Sequence, residues 1–279
     1  MVQPPRPEDR VRAYYASRGE QEWDRLSAPD DGAVEEALHR RAFAQYLPSG
    51  VRILDIGGGP GRWTVWLAER GHQLVLADLT PSLLEIARRK IAEARVQRLV
   101  EDVVEADARD LSRWDDGSFG AVLALGPFYH LPIAGDRERA LAEVRRVLEP
   151  NGLLFATVMP RYPRAFFYAW ERGTPGIELA RSIVETGTFQ QDQPGRFTDG
   201  YHFKPAEVRP FFESGGFQTL RLMASQGFLF ALQPLVSELG ERDPEARDQL
   251  LDLAYKTADD PSIFGFTGHL MFIGRKESG

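Results

Sequence analysis

The chain has 279 residues, 43% apolar and 27% charged, an ordinary globular composition that supplies a continuous core and excludes wholesale disorder. Its 41 acidic and 34 basic side chains leave a net charge of -7, a field that a polyphosphate partner would need a local basic patch to overcome; mixed-sign runs such as Arg137-Glu138-Arg139 read as solvated helix faces, so no nucleic-acid partner is expected. There is no cysteine, which removes disulfides, thiolate metal sites and cysteine nucleophiles.

The opening residues, MVQPPRPEDRVRAYY, hold no apolar stretch that could serve as a signal-peptide core, and no apolar run approaches membrane-spanning length. A cytoplasmic chain with no membrane partner is therefore expected. The length favours one sheet-centred domain with insertions. The expected division is an N-terminal helical cap at 1–40, a ligand-binding core at 41–159, a first insertion at 160–204, and a last helix and strands at 205–279 with a second insertion at about 224–265.

From Val51 onward short β-branched or leucine-rich runs alternate with amphipathic stretches, the pattern of repeated strand-helix-strand units and a largely parallel sheet. The first strand is Val51 to Ile56, then a glycine-rich turn leads into a helix holding Trp63, Trp66 and Leu67 that Arg70-Gly71 closes. The second strand is Gln73 to Ala77, and Thr80-Pro81 opens the next helix, with threonine as its cap and proline at the first helical position. A third strand lies around Leu99 to Val104. After the turn Asp115-Asp116-Gly117-Ser118, a buried fourth strand runs from Phe119 to Leu125. A helix from about Arg137 to Leu148 ends at Pro150-Asn151-Gly152, and Leu153 to Met159 is the fifth strand. Pro205 to Ser214 reads as a helix, while Gln218 to Met223 and His269 to Ile273 read as strands. The stretches Pro160 to Lys204 and Ala224 to Gly265 are not low-complexity and contain no repeat, so they read as structured insertions.

The chemistry centres on Ile53-Leu54-Asp55-Ile56-Gly57-Gly58-Gly59-Pro60-Gly61, a buried strand entering a turn so tight that glycine is required. A strand, a glycine turn and a helix N-terminus together suit nucleotide-like ligands. The dinucleotide fingerprint does not fit: the third glycine would fall at Arg62 if the motif began at Gly57 and at Thr64 if it began at Gly59, and Pro60 stiffens the loop.

These residues resemble the class I S-adenosylmethionine-dependent methyltransferases, whose first motif is an acidic residue followed by a glycine-rich loop, here DIGGGPG. The resemblance is strong over roughly residues 40 to 160 and weak in the last three elements. It implies a Rossmann-like, doubly wound, seven-stranded α/β sheet with the last strand antiparallel, carrying helical lid insertions. It also implies S-adenosylmethionine as cofactor. Asp55, Gly57, Gly58, Gly59 and Gly61 would form the loop, with Asp55 organising it through backbone hydrogen bonds. Asp78, 23 residues beyond Asp55 and followed by Leu79, would accept both ribose hydroxyls. Asp107-Ala108 would hold the adenine. The fourth strand ends in Leu125-Gly126-Pro127-Phe128-Tyr129-His130-Leu131, which looks like the GPxYHL variant of small-molecule methyltransferases. No N-P-P-Y motif stands there, which argues against relatives that methylate amide or adenine nitrogens. The lack of cysteine argues against those that attack pyrimidine C6 or bind arsenite through thiols.

The sulfonium donor is already activated, so positioning an electron-rich acceptor and excluding water can carry most of the catalysis. Both insertions follow strand ends on the ligand side and are the expected lid. The aromatic residues Tyr162, Phe166, Phe167, Tyr168 and Trp170, with Phe228, Phe230 and Leu232, are either an apolar acceptor pocket or lid core. Tyr14, Tyr15 and Trp23 either cover the cationic sulfonium or pack as helix side chains, and Tyr15 is taken as the cofactor contact. His130, beside Tyr129, is the expected general base and His202 its competitor. His39, His72, His130, His202 and His269 include no pair at metal-site spacing, so no zinc site and no metal ligands are expected, while magnesium-dependent catechol-type transfer stays open because carboxylates are plentiful. The expected function is methyl transfer to a small, partly apolar organic acceptor, and the chain is compatible with a homodimer. Two alternatives remain: a protein that binds S-adenosylmethionine without transferring methyl, and a nicotinamide-dependent oxidoreductase.

Overall fold

Apolar side chains alternate along the strands between two faces, as their period of two requires, and each face has acquired a helical layer. The computed structural model describes residues 5–25, 28, 32–190 and 197–278. In chain order it contains α1 (Pro7–Arg18), α2 (Glu20–Arg25), α3 (Ala33–Tyr46), β1 (Arg52–Ile56), α4 (Arg62–Ala68), β2 (Gln73–Asp78), α5 (Pro81–Glu93) and β3 (Val100–Glu105). It continues with β4 (Phe119–Ala124), α6 (Ala134–Val147), β5 (Leu148–Pro160), α7 (Arg161–Arg172), α8 (Thr174–Thr186), β6 (Thr188–Phe189) and β7 (Gly200–Phe203). The last elements are α9 (Pro205–Ser214), β8 (Phe217–Ala224), α10 (Gln233–Arg242), α11 (Pro244–Lys256) and β9 (Leu270–Lys276). Short 3-10 turns include Pro127–His130 after β4, Gly227–Leu232 after β8 and Pro261–Phe266 before β9.

The main sheet runs β3-β2-β1-β4-β5-β9-β8, parallel from β3 to β5, with β9 antiparallel to both neighbours. This is the expected seven-stranded, doubly wound α/β sheet with its last strand antiparallel. The short β6/β7 ribbon is an addition, joined to the end of β5 through Met159 opposite His202 and Pro160 opposite Phe203.

Leu54 and Ile56 of β1, Val75 and Ala77 of β2, and Val122 and Ala124 of β4 face one layer, formed by α6 through Ala140, Leu141, Val144 and Val147 and by α9 through Val208 and Phe212. Ile53, Leu74, Ala121, Leu123 and Phe155 face the other, where α3 and α4 lie. The second insertion joins that layer: Val236 of α10 and Leu251, Ala254 and Tyr255 of α11 pack with Leu38 and Phe43 of α3 and Met223 and Met271 of the sheet. The expectation of a lid at 224–265 is corrected by this packing, because the apolar stripes of α10 and α11 are used up in covering the β8/β9 end of the sheet. The boundary at residue 40 also falls inside α3, whose Leu38, Ala42 and Phe43 are fully buried core.

Thr80 precedes α5 as expected but its side chain makes no cap bond. Its backbone N–H instead donates to Asp78 Oδ1 at 2.8 Å. The helix expected from Arg137 begins three residues earlier, at Ala134.

The seam between the α6/α9 layer and the sheet is tightest where Phe212 stacks on Phe272 of β9, ring centroids 4.2 Å apart and 12° from parallel. Both rings are fully buried. Phe212→Ala removes this contact and leaves a cavity, so urea unfolding should show a loss of about 3–5 kcal/mol. A loss below about 1 kcal/mol would mean that the layer closes up without the ring.

Candidate active site

In a doubly wound sheet ligands bind beyond the carboxyl ends of the strands, where the strand order reverses. Here the reversal lies between β1 and β4. The loops that leave these two strands touch: a Cβ placed on Gly57 would lie 2.8 Å from the Pro127 ring. Gly57 and Gly59 have φ of +74° and +54°, which favour glycine. Gly58 has ordinary φ but no room, since a Cβ there would sit 2.3 Å from Leu76 and 2.6 Å from the Asp55 carboxyl.

Two carboxylates hold the loop. Asp55 is buried and accepts from the Thr64 hydroxyl at 2.7 Å. Asp55, expected to organise the loop through backbone hydrogen bonds, is instead partnered by Thr64 of α4, the position that fails the dinucleotide fingerprint begun at Gly59, and the loop's Gly59 N–H goes to Asp78. Asp78 Oδ2 accepts from Gly59 N–H and Oδ1 from Thr80 N–H, both at 2.8 Å. Burial pushes the Asp78 carboxyl up, while these two N–H groups act against it.

A cleft opens at this point, with about 1310 Å³ of empty space including its mouth. Of the residues expected from sequence, Tyr15, Asp55, Gly57, Gly58, Gly59, Asp78, Leu79, Asp107, Ala108, Leu125, Tyr129 and His130 line it. Gly61 and His202 do not. Gly61 has φ +83° and lies under α5, where a Cβ would meet Ala87 at 3.2 Å, so its place is in packing. His202 of β7 is 1% exposed, and burial lowers its pKa to about 3.

No described residue of either insertion lines the cleft; its outer wall is Pro7, Glu8, Val11 and Tyr15 of α1 with Glu22 and Arg25 of α2. The first insertion's Tyr168 is buried in a separate small cluster, and Phe166 and Trp170 are exposed. Trp23 lies between the Arg62 guanidinium and the Lys90 ammonium, 5.4 and 5.1 Å from its ring. Tyr14 packs edge-on against Tyr15 and Phe197.

Tyr15 and His130 form one unit, their side chains 2.7 Å apart at Tyr15 Oη and His130 Nε2. His130 Nδ1 lies 3.3 Å from the Asp199 carbonyl, to which it donates, so Nε2 is the acceptor for the Tyr15 hydroxyl. Burial lowers the His130 pKa to about 4. Asp107 accepts from Arg109, which also pairs with Asp136 at 2.9 Å and Glu8 at 3.5 Å and so ties α1 to the loop after β3.

Sequence reasoning missed Glu35, His39 and His269, which meet at the inner wall. His269 Nδ1 is 3.0 Å from Glu35 Oε2, and its ring tilts against Tyr129 at 5.5 Å. Among the described residues no group of three or more His, Asp or Glu side chains could hold a metal ion, and no helix is long and apolar enough to cross a membrane.

A glycine loop and a strand-end carboxylate at the switch point define a nucleotide-type cofactor domain. Comparison identifies the domain. Residues 54–156 match a family model described as a methyltransferase domain. A ubiquinone biosynthesis O-methyltransferase of Xanthomonas axonopodis pv. citri (strain 306) is 31% identical over 175 residues, 63% of this chain and 66% of that protein. The chain thus spans just under two thirds of that relative's length. The structure of a Burkholderia thailandensis 1,6-didemethyltoxoflavin-N1-methyltransferase, bound to 1,6-didemethyltoxoflavin and S-adenosylhomocysteine, superposes with a TM-score of 0.61 at 15% identity, covering 100% of this chain and 93% of that one. The [4+2]-cyclase SpnF gives a TM-score of 0.63 at 18% identity, covering 100% and 99%. Residues 54–156 of this chain thus match a methyltransferase domain, and the fold is the one those solved structures share. The nicotinamide alternative is not favoured.

Burial disfavours the charged form of Asp55 and raises its pKa from 3.8 to about 7. The stability this group contributes is full below the unfolded carboxyl value and is lost as pH rises toward 7. Asp55→Asn, which cannot ionise, should therefore cost more stability at pH 5 than at pH 8 in urea unfolding. Equal costs at the two pH values would show that Asp55 titrates like an exposed carboxyl.

Proposed function

We propose that the protein transfers a methyl group from S-adenosylmethionine to a small, partly apolar organic acceptor. The observation that carries the reading is Asp78: a buried carboxylate lining the cleft at the switch point, each oxygen holding one backbone N–H and having capacity for a second donor. The two vicinal ribose hydroxyls of the cofactor are such donors. Leu79 and Asp107-Ala108 would flank the adenine, the Gly57–Gly59 backbone would face the amino-acid portion, and Leu125 would border the methionine end. When bound, the cofactor supplies an activated methyl group.

What remains for the chain is to orient the acceptor and keep water out. Tyr15 closes the outer side, and His130 is its positioning residue, because the acceptor nitrogen of His130 is occupied by the Tyr15 hydroxyl. The low pKa of His130 suits that role better than proton abstraction at neutral pH. His202 lies outside the cleft and acts in packing. The likeness to a [4+2]-cyclase shows only a shared fold, and fold does not fix reaction. The match to the methyltransferase domain model and to ubiquinone biosynthesis O-methyltransferases favours methyl transfer over cofactor binding alone.

Incubation with methyl-labelled S-adenosylmethionine and a panel of phenols, amines and cell metabolites should yield a product heavier by one methyl group. Binding of the cofactor with no labelled product from any acceptor would return the reading to a binding protein. Asp78→Ala should weaken S-adenosylhomocysteine binding in calorimetry by roughly 10 to 100-fold, the loss of one or two charge-assisted hydrogen bonds. Unchanged affinity would place the ribose elsewhere.

Because α1, and not the first insertion, walls the cleft, amides of α1 should exchange several-fold more slowly when S-adenosylhomocysteine is bound, and those of α7 and α8 should not change. Protection confined to α7 and α8 would restore the first insertion as the lid.

A further inference from the structure

Glu35, Gln226 and His269 all lie outside the matched domain, on α3, just before the 3-10 turn that follows β8, and just before β9. The fold brings them together across as many as 234 positions of sequence. Gln226 is the centre of the tie. Its Oε1 accepts from the Thr267 hydroxyl at 2.6 Å and from the backbone N–H of Gly268 at 3.0 Å and His269 at 3.3 Å, while its Nε2 donates to Glu35 Oε2. One amide therefore fixes both the segment carrying His269 and the carboxylate facing it.

The two ring nitrogens of His269 are in unlike situations. Nδ1 lies against Glu35 Oε2, so the proton belongs on Nδ1 and the lone pair on Nε2. Nε2 is buried and has no hydrogen-bond partner in the structure, although His269 lines the cleft. A buried acceptor without a donor is destabilising, and a ligand hydroxyl or amine placed there would remove that cost. His130, one residue beyond Tyr129, offers no such position, since both of its nitrogens are engaged.

We infer that His269 is the general base of this site: Nε2 takes the proton of an O–H or N–H acceptor, and Glu35, held by Gln226, is the positioning residue that orients the ring. The inference rests on the proposed methyl transfer and extends it to an acceptor carrying an ionisable proton, such as a phenol. In the step, the acceptor heteroatom forms its bond to the methyl carbon as the carbon-sulfur bond breaks with its electron pair moving to sulfur. The acceptor proton passes to Nε2, giving an imidazolium beside the Glu35 carboxylate, and leaves to water on product release.

Glu35 is suited to this. Burial acts to raise its pKa, while His269, His39 and Arg25 act against it, and the net direction is down. The charged and titratable groups around His269 are Glu35 and His39 on α3, Arg25 on α2, and Tyr129 and His130 after β4.

The test has an arm that needs no acceptor. Nitrogen-15 histidine spectra of the complex with S-adenosylhomocysteine at pH 7.5 should show His269 with its proton on Nδ1 and a bare Nε2, and Glu35→Gln should abolish that preference. A proton on Nε2, or on both nitrogens, overturns the inference. With the acceptor found by methyl labelling, His269→Ala should lower kcat by about 10² to 10⁴-fold near neutral pH, with the deficit shrinking as pH rises and the acceptor ionises unaided. Its affinity for S-adenosylhomocysteine should stay within about threefold, well under one decade of binding constant. A kcat within threefold of wild type, or a deficit independent of pH, would reduce His269 to packing. Wild-type protein that binds no S-adenosylhomocysteine defeats the methyltransferase reading itself, an outcome separate from a misplaced proton on His269.

Discussion

The hydrogen bonds from Gly59 and Thr80 to the Asp78 carboxylate are the constraint on which the rest of the site depends. Each is 2.8 Å long, and together they join the loop after β1 to the start of α5 through the last residue of β2. The Gly57 and Gly58 N–H groups reinforce the join by donating to the Ala77 carbonyl at 2.7 and 3.3 Å. The glycine turn would otherwise be the most mobile part of the strand-helix unit, because glycine loses more backbone freedom on ordering than any other residue. Held this way, it keeps its backbone facing the cleft and leaves a buried carboxylate with unused acceptor capacity. That combination is costly unless a ligand brings donors, which is the ground for proposing Asp78 as the ribose contact.

Around this fixed point part of the wall comes from residues outside the matched 54–156. Helices α1 and α2 supply the outer side, anchored by Arg12 to Glu105 at 2.6 Å and by Arg10 Nε to Asp199 at 2.9 Å. The half-exposed Arg12–Glu105 pair contributes little, whereas Asp199 is buried and would lose its Arg10 partner if α1 lifted, which is costly. Val11 is the only buried residue of α1, so the helix is held mainly by these polar ties. The inner side is different in kind: Glu35, Gln226 and His269 are tied by several buried hydrogen bonds and rest on the α3/α10/α11 layer. An inner wall of buried hydrogen bonds and an outer wall held by polar side-chain ties together shield the cleft from water.

The core was legible in the sequence because its signals are local. DIGGGPG, Asp78 after the second strand and the buried run expected from Phe119 to Leu125, which ends one residue earlier at Ala124, are each signals in a short window, and the sheet's form followed from the resemblance they carried. The lid expectation at 160–204 and 224–265 rested on position after a strand end, which says nothing about which apolar stripe finds a partner. For α10 and α11 the uncovered sheet face around Met223 and Met271 was that partner. Glu35 and His269 carried no local signal at all. Each is an ordinary residue in an ordinary helix or strand start, and only the tertiary fold sets them 3.0 Å apart. His130 was visible because it sits in a motif, and the hydroxyl occupying its Nε2 comes from Tyr15, 115 positions away.

The most direct test of the account is a crystal structure of the protein with S-adenosylhomocysteine. The account predicts both ribose hydroxyls on the Asp78 carboxylate, the adenine beside Leu79 and Ala108, and the sulfur opening toward Leu125, Tyr129 and His269. S-Adenosylhomocysteine bound away from Asp78, or with its sulfur turned from His269 toward the β6/β7 ribbon and His202, would contradict it.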